Sequence, residues 1–105
     1  MANADIGLIG LAVMGENLAL NIESKGFQIA VFNRTLSRVD NFINGSAKGK
    51  NVIGTHSIEE LINTLSSPRK IILMVKAGDP VDAFIDQLTP HLSKGDLIID
   101  GGNSN

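Results

Sequence analysis

The 105-residue sequence contains no cysteine. This absence excludes disulfide bonds, thiol nucleophiles and cysteine-ligated metal sites. No apolar run approaches the roughly 20 residues that a membrane span needs, and the first residues lack the basic region that precedes a secretory apolar segment. We therefore expect a cytoplasmic protein that has no membrane partner.

An excess of charge of one sign is also missing. Nine Lys and Arg residues stand against eleven Asp and Glu residues, which gives a net charge of −2, and the basic residues form no stripe. This balance argues against a nucleic-acid partner. Hydrophobic residues make up 43 % of the sequence, which predicts an ordinary globular core in a single domain over residues 1–105.

Short apolar runs typical of strands alternate with helical stripes along the whole chain. Strands are predicted to end near residues 9, 32, 54, 75 and 100, and helices are predicted over about residues 13–24, 36–45, 58–65 and 80–89. The short connections favour right-handed crossovers. The predicted fold class is therefore α/β: a Rossmann-type, doubly wound, mainly parallel sheet of five strands with helices on both faces.

Two of the predicted helices carry specific local signals. In the first, Met14, Leu18 and Ile22 recur at helical spacing with Ala19 beside them and form an apolar stripe. At the start of the third, Ser57 and Glu60 predict a capping box, in which the Ser57 hydroxyl accepts from the backbone N–H of Glu60 and the Glu60 carboxylate reaches back.

The segment between the first strand and the first helix is Gly10-Leu11-Ala12-Val13-Met14-Gly15. Gly10 permits a tight turn, Ala12 lets a ligand approach the backbone, and Gly15 lets helix and strand pack closely. The helix start offers unpaired N–H groups and the positive end of a dipole to an anion. A phosphate site and a merely structural glycine turn both fit this pattern, so its context has to decide.

The predicted topology supplies that context. Ligands of doubly wound sheets lie beyond the carboxyl ends of the strands. Four small or polar segments follow strands there, over residues 10–15, 33–35, 75–78 and 101–103. Their convergence favours a dinucleotide site over a structural turn.

No Asp or Glu stands at the end of the second predicted strand, where NAD sites carry a carboxylate for the ribose hydroxyls. The residues there are Asn33, Arg34 and Thr35. Arg34 can hold a 2′-phosphate and stack on adenine, while Asn33 and Thr35 can supply neutral hydrogen bonds. The sequence therefore predicts NADP as the cofactor, and the alternative is that Arg34 is a solvated loop residue.

These segments closely resemble the N-terminal cofactor domain of the 6-phosphogluconate dehydrogenases, over essentially the whole chain. The most specific part of the resemblance is Asp100-Gly101-Gly102-Asn103-Ser104. What the resemblance implies is an oxidoreductase of the pentose phosphate pathway. It oxidises 6-phosphogluconate with NADP, and loss of CO2 then gives ribulose 5-phosphate.

The resemblance also implies which residues bind. Cofactor contacts are expected from Gly10, Leu11, Ala12, Val13, Met14, Gly15, Asn33, Arg34, Thr35, Val75, Lys76, Ala77 and Asn103. Asn103 is expected to touch the substrate as well. The family's lysine base and glutamate acid lie farther along the chain and have no counterpart here, so no catalytic residue and no metal ligand is expected in this sequence.

In the family, the chain continues into a large helical domain that forms a homodimer. Residues 1–105 are therefore expected to be a truncated domain whose last strand is an unprotected sheet edge. Two alternatives stay open, namely the cofactor domain of another β-hydroxyacid dehydrogenase and a non-catalytic NADP-binding regulatory module. The sequence that follows residue 105 in the parent gene distinguishes all three.

The 105-residue chain by itself should show no turnover of 6-phosphogluconate with NADP, because the catalytic groups of the family are absent from it. Reduction of NADP can be followed by its absorbance in the presence of both substrates. Measurable turnover would contradict this placement of the catalytic groups.

Overall fold

A computed structural model of the protein describes residues 3–75 and 79–101. The strands are β1 (Ile6–Ile9), β2 (Ile29–Phe32), β3 (Val52–Gly54), β4 (Lys70–Leu73) and β5 (Leu97–Asp100). The helices are α1 (Val13–Ser24), α2 (Leu36–Asn44), α3 (Ile58–Thr64) and α4 (Asp79–Leu88), and a 3-10 turn over Thr89–His91 follows α4. The predicted alternation of strands and helices is confirmed.

All five strands are parallel, in the order β3-β2-β1-β4-β5. In β1, Ile9 lies beside Phe32 of β2 on one side and beside Leu73 of β4 on the other. The chain winds from β1 outward to β3, then crosses back to β4 on the other side of β1. The winding therefore reverses between β1 and β4, and a crevice is expected outside the carboxyl ends of these strands.

Each face of the sheet carries its own core cluster, because successive residues of a strand point to opposite faces. One cluster joins the sheet to α1 and α2, and includes Leu8, Ala19, Ile29, Val31, Val39 and Phe42. The other joins the sheet to α3 and α4, and includes Ile9, Ala30, Leu61, Ile71, Phe84 and Leu88. The predicted placement of helices on both faces is confirmed. Within the described part of the chain, every helix is too short or too polar to cross a membrane.

The apolar stripe predicted for α1 is partly wrong. The fully buried residues of this helix are Gly15 and Ala19, whereas the side chain of Met14 is 69 % exposed. Leu18 and Ile22 are half-buried. Leu18 and Ile22 pack against the core cluster as predicted, whereas at the N-terminal end of the helix the close approach to the sheet leaves room for Gly15, and Met14 faces outward.

The capping box of α3 is confirmed in one half and differs in the other. The backbone N–H of Glu60 donates to the Ser57 hydroxyl at 3.0 Å. The Glu60 carboxylate instead accepts from the backbone N–H of His56 at 2.7 Å. The ring Nε2 of His56 lies 2.7 Å from the carboxylate of Asp40 on α2, and this hydrogen bond raises the pKa of His56. His56 thus joins the two helices.

The edge position of β5 is confirmed by the strand order. Among the described residues β5 pairs with β4 alone. Its residues Leu97 and Ile99 are 51 % and 42 % exposed. The start of β5 is fixed to the start of β4 by Asp96, whose carboxylate accepts from the backbone N–H groups of Arg69 at 2.6 Å and Ser93 at 2.8 Å.

The same carboxylate lies 3.4 Å from Nη1 of Arg69, and its side chain is only 2 % exposed. The hydrogen bonds from Ser93 and Arg69, followed by the attraction of the guanidinium, hold the pKa of Asp96 below its ordinary value of 3.8. Because the pKa is lowered in the folded state, the ionised carboxylate stabilises the fold fully at pH values above its ordinary pKa. This stabilisation is lost as the pH falls through the folded-state pKa.

The substitution Asp96→Asn should lower the urea midpoint at about pH 7, and its difference from the wild type should shrink as the pH falls toward about 3. Urea titrations followed by circular dichroism at several pH values measure both trends. Asp86→Asn, at an exposed position of α4, is the matched control and should change little. A difference that stays constant over this pH range would contradict the assigned role of Asp96.

Candidate functional site

A cavity of about 350 Å³ lies at the carboxyl ends of β1, β2 and β4. It is lined by Ile9, Gly10, Leu11, Ala12, Asn33, Arg34, Arg38, Met74, Val75, Pro80 and Phe84. Ligand pockets commonly measure roughly 300–1,000 Å³. The cavity therefore suits a group the size of a nucleoside, at the place where the topology predicts a ligand.

The glycine turn owes its shape to two close backbone contacts. Gly10 has φ = +109°, and a Cβ atom at this position would lie 2.3 Å from the carbonyl oxygen of Met74. A Cβ atom at Gly15 would lie 1.8 Å from the carbonyl oxygen of Gly10. The predicted steric roles of both glycines, a tight turn and a close approach of helix to strand, are therefore confirmed.

The N-terminus of α1 is open on the side of the turn. Ala12 is the N-cap residue, and its methyl side chain makes no capping hydrogen bond. The backbone N–H of Glu16 donates to the carbonyl of Ala12 at 2.9 Å. The N–H groups of the three residues before Glu16 precede the first intrahelical donor, so they lie at the positive end of the helix dipole. An anion at this point would meet them.

The end of β2 is connected to this turn through Asn33. The backbone N–H of Gly10 donates to the carbonyl of Phe32 at 2.9 Å, and the N–H of Leu11 donates to Oδ1 of Asn33 at 2.7 Å. The Nδ2 group of Asn33 donates to the carbonyl of Thr35 at 3.0 Å. Thr35 is the N-cap residue of α2, and its hydroxyl makes no capping hydrogen bond.

Two arginines give the cavity its charge. The guanidinium carbon of Arg34 lies 5.8 Å from the ring centre of Phe84, a cation–π distance. The Nη1 group of Arg38 donates to the carbonyl of Leu11 at 3.3 Å. Among the described lining residues there is no carboxylate, so both charged side chains on the cavity are cationic. Arginine stays protonated and can bind a phosphate with two parallel hydrogen bonds.

Arg38 and Phe84 were not predicted as site residues. Arg38 lies on the first turn of α2, and its place on the cavity goes with its contact to the carbonyl of Leu11, 27 residues earlier, for which the local sequence carries no signal. Phe84 belongs to an apolar helical stripe and is 4 % exposed, packed edge-on against Phe32 with ring centres 6.4 Å apart. Its sequence pattern is that of a core residue, and it also forms the wall of the cavity.

The structure brings together six of the predicted cofactor residues on the cavity: Gly10, Leu11, Ala12, Asn33, Arg34 and Val75. Gly15 is buried beneath the turn, and Thr35 occupies the N-cap position of α2. Val13 and Met14 are 73 % and 69 % exposed on the first turn of α1, beside the cavity rather than in its wall. Lys76, Ala77 and Asn103 lie outside the described residues. In residues 3–75 and 79–101, no three side chains form a group that could hold a metal ion.

A parallel sheet of order 3-2-1-4-5, with a glycine turn and a cationic cavity where its winding reverses, defines a Rossmann-type nucleotide-binding domain. Residues 5–105 match the family model described as the NAD binding domain of 6-phosphogluconate dehydrogenase. The chain belongs to this family.

Individual relatives agree with this assignment. Over 103 residues the chain is 64 % identical to a decarboxylating 6-phosphogluconate dehydrogenase of Cunninghamella elegans, and the match covers 98 % of this chain and 21 % of the relative. Over 101 residues it is 67 % identical to the enzyme of the same name in Treponema pallidum, covering 96 % of this chain and 21 % of that one. The chain thus spans about a fifth of the length of the curated relatives it matches.

A solved structure shares the fold in detail. The 6-phosphogluconate dehydrogenase of Plasmodium falciparum superposes with a TM-score of 0.86 at 54 % sequence identity, over 96 % of this chain and 22 % of that chain. That enzyme is described in its apo form, with its cofactor NADP+ and with its substrate 6-phosphogluconate. The predicted resemblance and fold class are confirmed.

The substitution Gly10→Ala should destabilise the fold more than Gly26→Ala. Both glycines have positive φ, +109° and +97°, but a Cβ atom at Gly26 meets nothing within 4 Å. Gly26→Ala should cost about 1–2 kcal/mol for the left-handed backbone alone. Gly10→Ala should cost about 1–3 kcal/mol more for the clash with Met74. Urea denaturation measures both values, and equal losses would show that the contact with Met74 does not constrain the turn.

Proposed function

We propose that this chain is the NADP-binding part of a decarboxylating 6-phosphogluconate dehydrogenase. The observation that carries the proposal is the pair of guanidinium groups, Arg34 and Arg38, on a cavity at the end of β2 that has no carboxylate among its described lining residues. A 2′-phosphate is the group by which NADP differs from NAD, and it is a dianion that two arginines can bind.

Each part of NADP can be matched to a group of described residues around the cavity. The turn at Gly10 leaves backbone space that a Cβ atom would fill, and the open N-terminus of α1 would bind the pyrophosphate. Arg34 and Arg38 would bind the 2′-phosphate. Val75 and Phe84 line the apolar wall on which the adenosine would rest. When bound, NADP supplies the acceptor for a hydride from the substrate.

The relatives support the same cofactor and substrate. The Plasmodium falciparum enzyme, which shares 54 % of its sequence with this chain over the matched region, is described with NADP+ and with 6-phosphogluconate. We infer that the whole protein oxidises 6-phosphogluconate and releases CO2 to give ribulose 5-phosphate, as a cytoplasmic homodimer. In this proposal Lys76 and Ala77 contact the cofactor, and Asn103 touches both the cofactor and the substrate.

Arg34→Ala should weaken the binding of NADP by roughly ten- to a hundredfold, which corresponds to the loss of a charge-assisted hydrogen bond. The binding of NAD should stay nearly unchanged, because NAD lacks the 2′-phosphate. Isothermal titration calorimetry of the chain with each nucleotide measures both affinities. Lys48→Ala removes one positive charge from an exposed loop position and is the matched control.

The pattern of losses decides the assignment. A loss for NADP alone, with Lys48→Ala unchanged, supports the 2′-phosphate site at Arg34. Equal losses for NADP and NAD would overturn it, because they would place Arg34 on a part that both nucleotides share.

A further inference from the structure

The backbone of Leu11 is held on both sides by side chains that follow β2. Its N–H donates to Oδ1 of Asn33 at 2.7 Å, and its carbonyl accepts from Nη1 of Arg38 at 3.3 Å. The side chain of Leu11 is fully buried in the core beneath α1 and α2. The middle of the glycine turn is thus fixed in orientation by contacts with a segment more than 20 residues away.

Asn33 extends the pairing of β1 with β2 by one step. The last backbone bond between the strands runs from the N–H of Gly10 to the carbonyl of Phe32. The next donor on the turn, the N–H of Leu11, finds the Asn33 side chain in place of a backbone carbonyl. The other end of the same amide donates to the carbonyl of Thr35, which fixes the plane of the side chain.

We propose that Asn33 is a positioning residue that holds the N–H of Leu11, and with it the phosphate-binding turn. Its Oδ1 atom and one of the two N–H groups of Nδ2 are engaged within the chain. The N–H of Leu11 is occupied as well, so the backbone donors left for a pyrophosphate begin at Ala12. The inference rests on the proposed function in one respect, namely that this turn binds the pyrophosphate.

The first test needs no nucleotide. Hydrogen exchange of the Leu11 amide, followed by NMR in the 105-residue chain, should accelerate roughly five- to tenfold in Asn33→Ala, because its acceptor is lost. In Asn33→Asp the carboxylate can still accept from the same N–H, so the protection should be retained. Asn63→Ala removes an exposed amide from α3 and is the control for truncation of an asparagine. Unchanged exchange in Asn33→Ala would overturn the proposal.

The second test asks whether Asn33 acts through the turn. NADP contains both the pyrophosphate and the 2′-phosphate, whereas adenosine 2′-monophosphate contains only the latter. Asn33→Ala should weaken NADP roughly tenfold and adenosine 2′-monophosphate by less than about threefold, whereas Arg34→Ala should weaken both to a similar extent. Chemical-shift titration measures the affinities. Equal losses for the two nucleotides in Asn33→Ala would show that Asn33 acts on the part they share and not on the turn, and would overturn the proposal.

The two tests also keep this inference distinct from the proposed function. If the wild-type chain bound neither nucleotide, the proposed function would be contradicted. The exchange of the Leu11 amide would still decide whether Asn33 holds the turn, because it is measured without a nucleotide.

Discussion

The contact between the backbones of Gly15 and Gly10 is the constraint on which the rest of the site depends. With a Cβ atom 1.8 Å from a carbonyl oxygen, no other residue fits at Gly15 without moving α1 away from β1. The contact brings the first turn of α1 against the end of β1, and small residues such as Ala19 follow on the buried face. The helix therefore presents its N-terminal N–H groups where the parallel sheet opens.

The ends of β1 and β2 act as one unit above this contact. In the proposed function, the turn after β1 would offer backbone donors to the part that all dinucleotides share, and the segment after β2 would offer side chains to the part that distinguishes NADP from NAD. Because Asn33 accepts from the N–H of Leu11 and Arg38 donates to its carbonyl, the second segment also sets the orientation of the first. In the proposed site, affinity for the pyrophosphate and selectivity for the 2′-phosphate would therefore be linked through one residue, Leu11.

Features that depend on residues close together along the chain could be predicted from the sequence. The alternation of elements, the steric need for Gly10 and the Ser57 cap follow from short-range patterns, and the structure confirms them. The exposure of Met14 could not be predicted from periodicity, because it depends on how closely α1 approaches the sheet. The place of Arg38 on the cavity was missed for a similar reason. It requires knowing that the start of α2 lies beside a carbonyl 27 residues earlier.

The presence of asparagine rather than aspartate at position 33, at the end of β2, has a physical explanation. An aspartate at position 33 could accept from the N–H of Leu11 as well as the present asparagine does, so holding the turn does not by itself require an amide. A carboxylate there would, however, place a negative charge beside Arg34 and Arg38 and cancel part of their attraction for a phosphate. In a protein of net charge −2, long-range attraction of an anionic nucleotide is weak, so short-range contacts must supply the binding. Asn33 therefore holds the turn without adding a negative charge beside the two guanidinium groups.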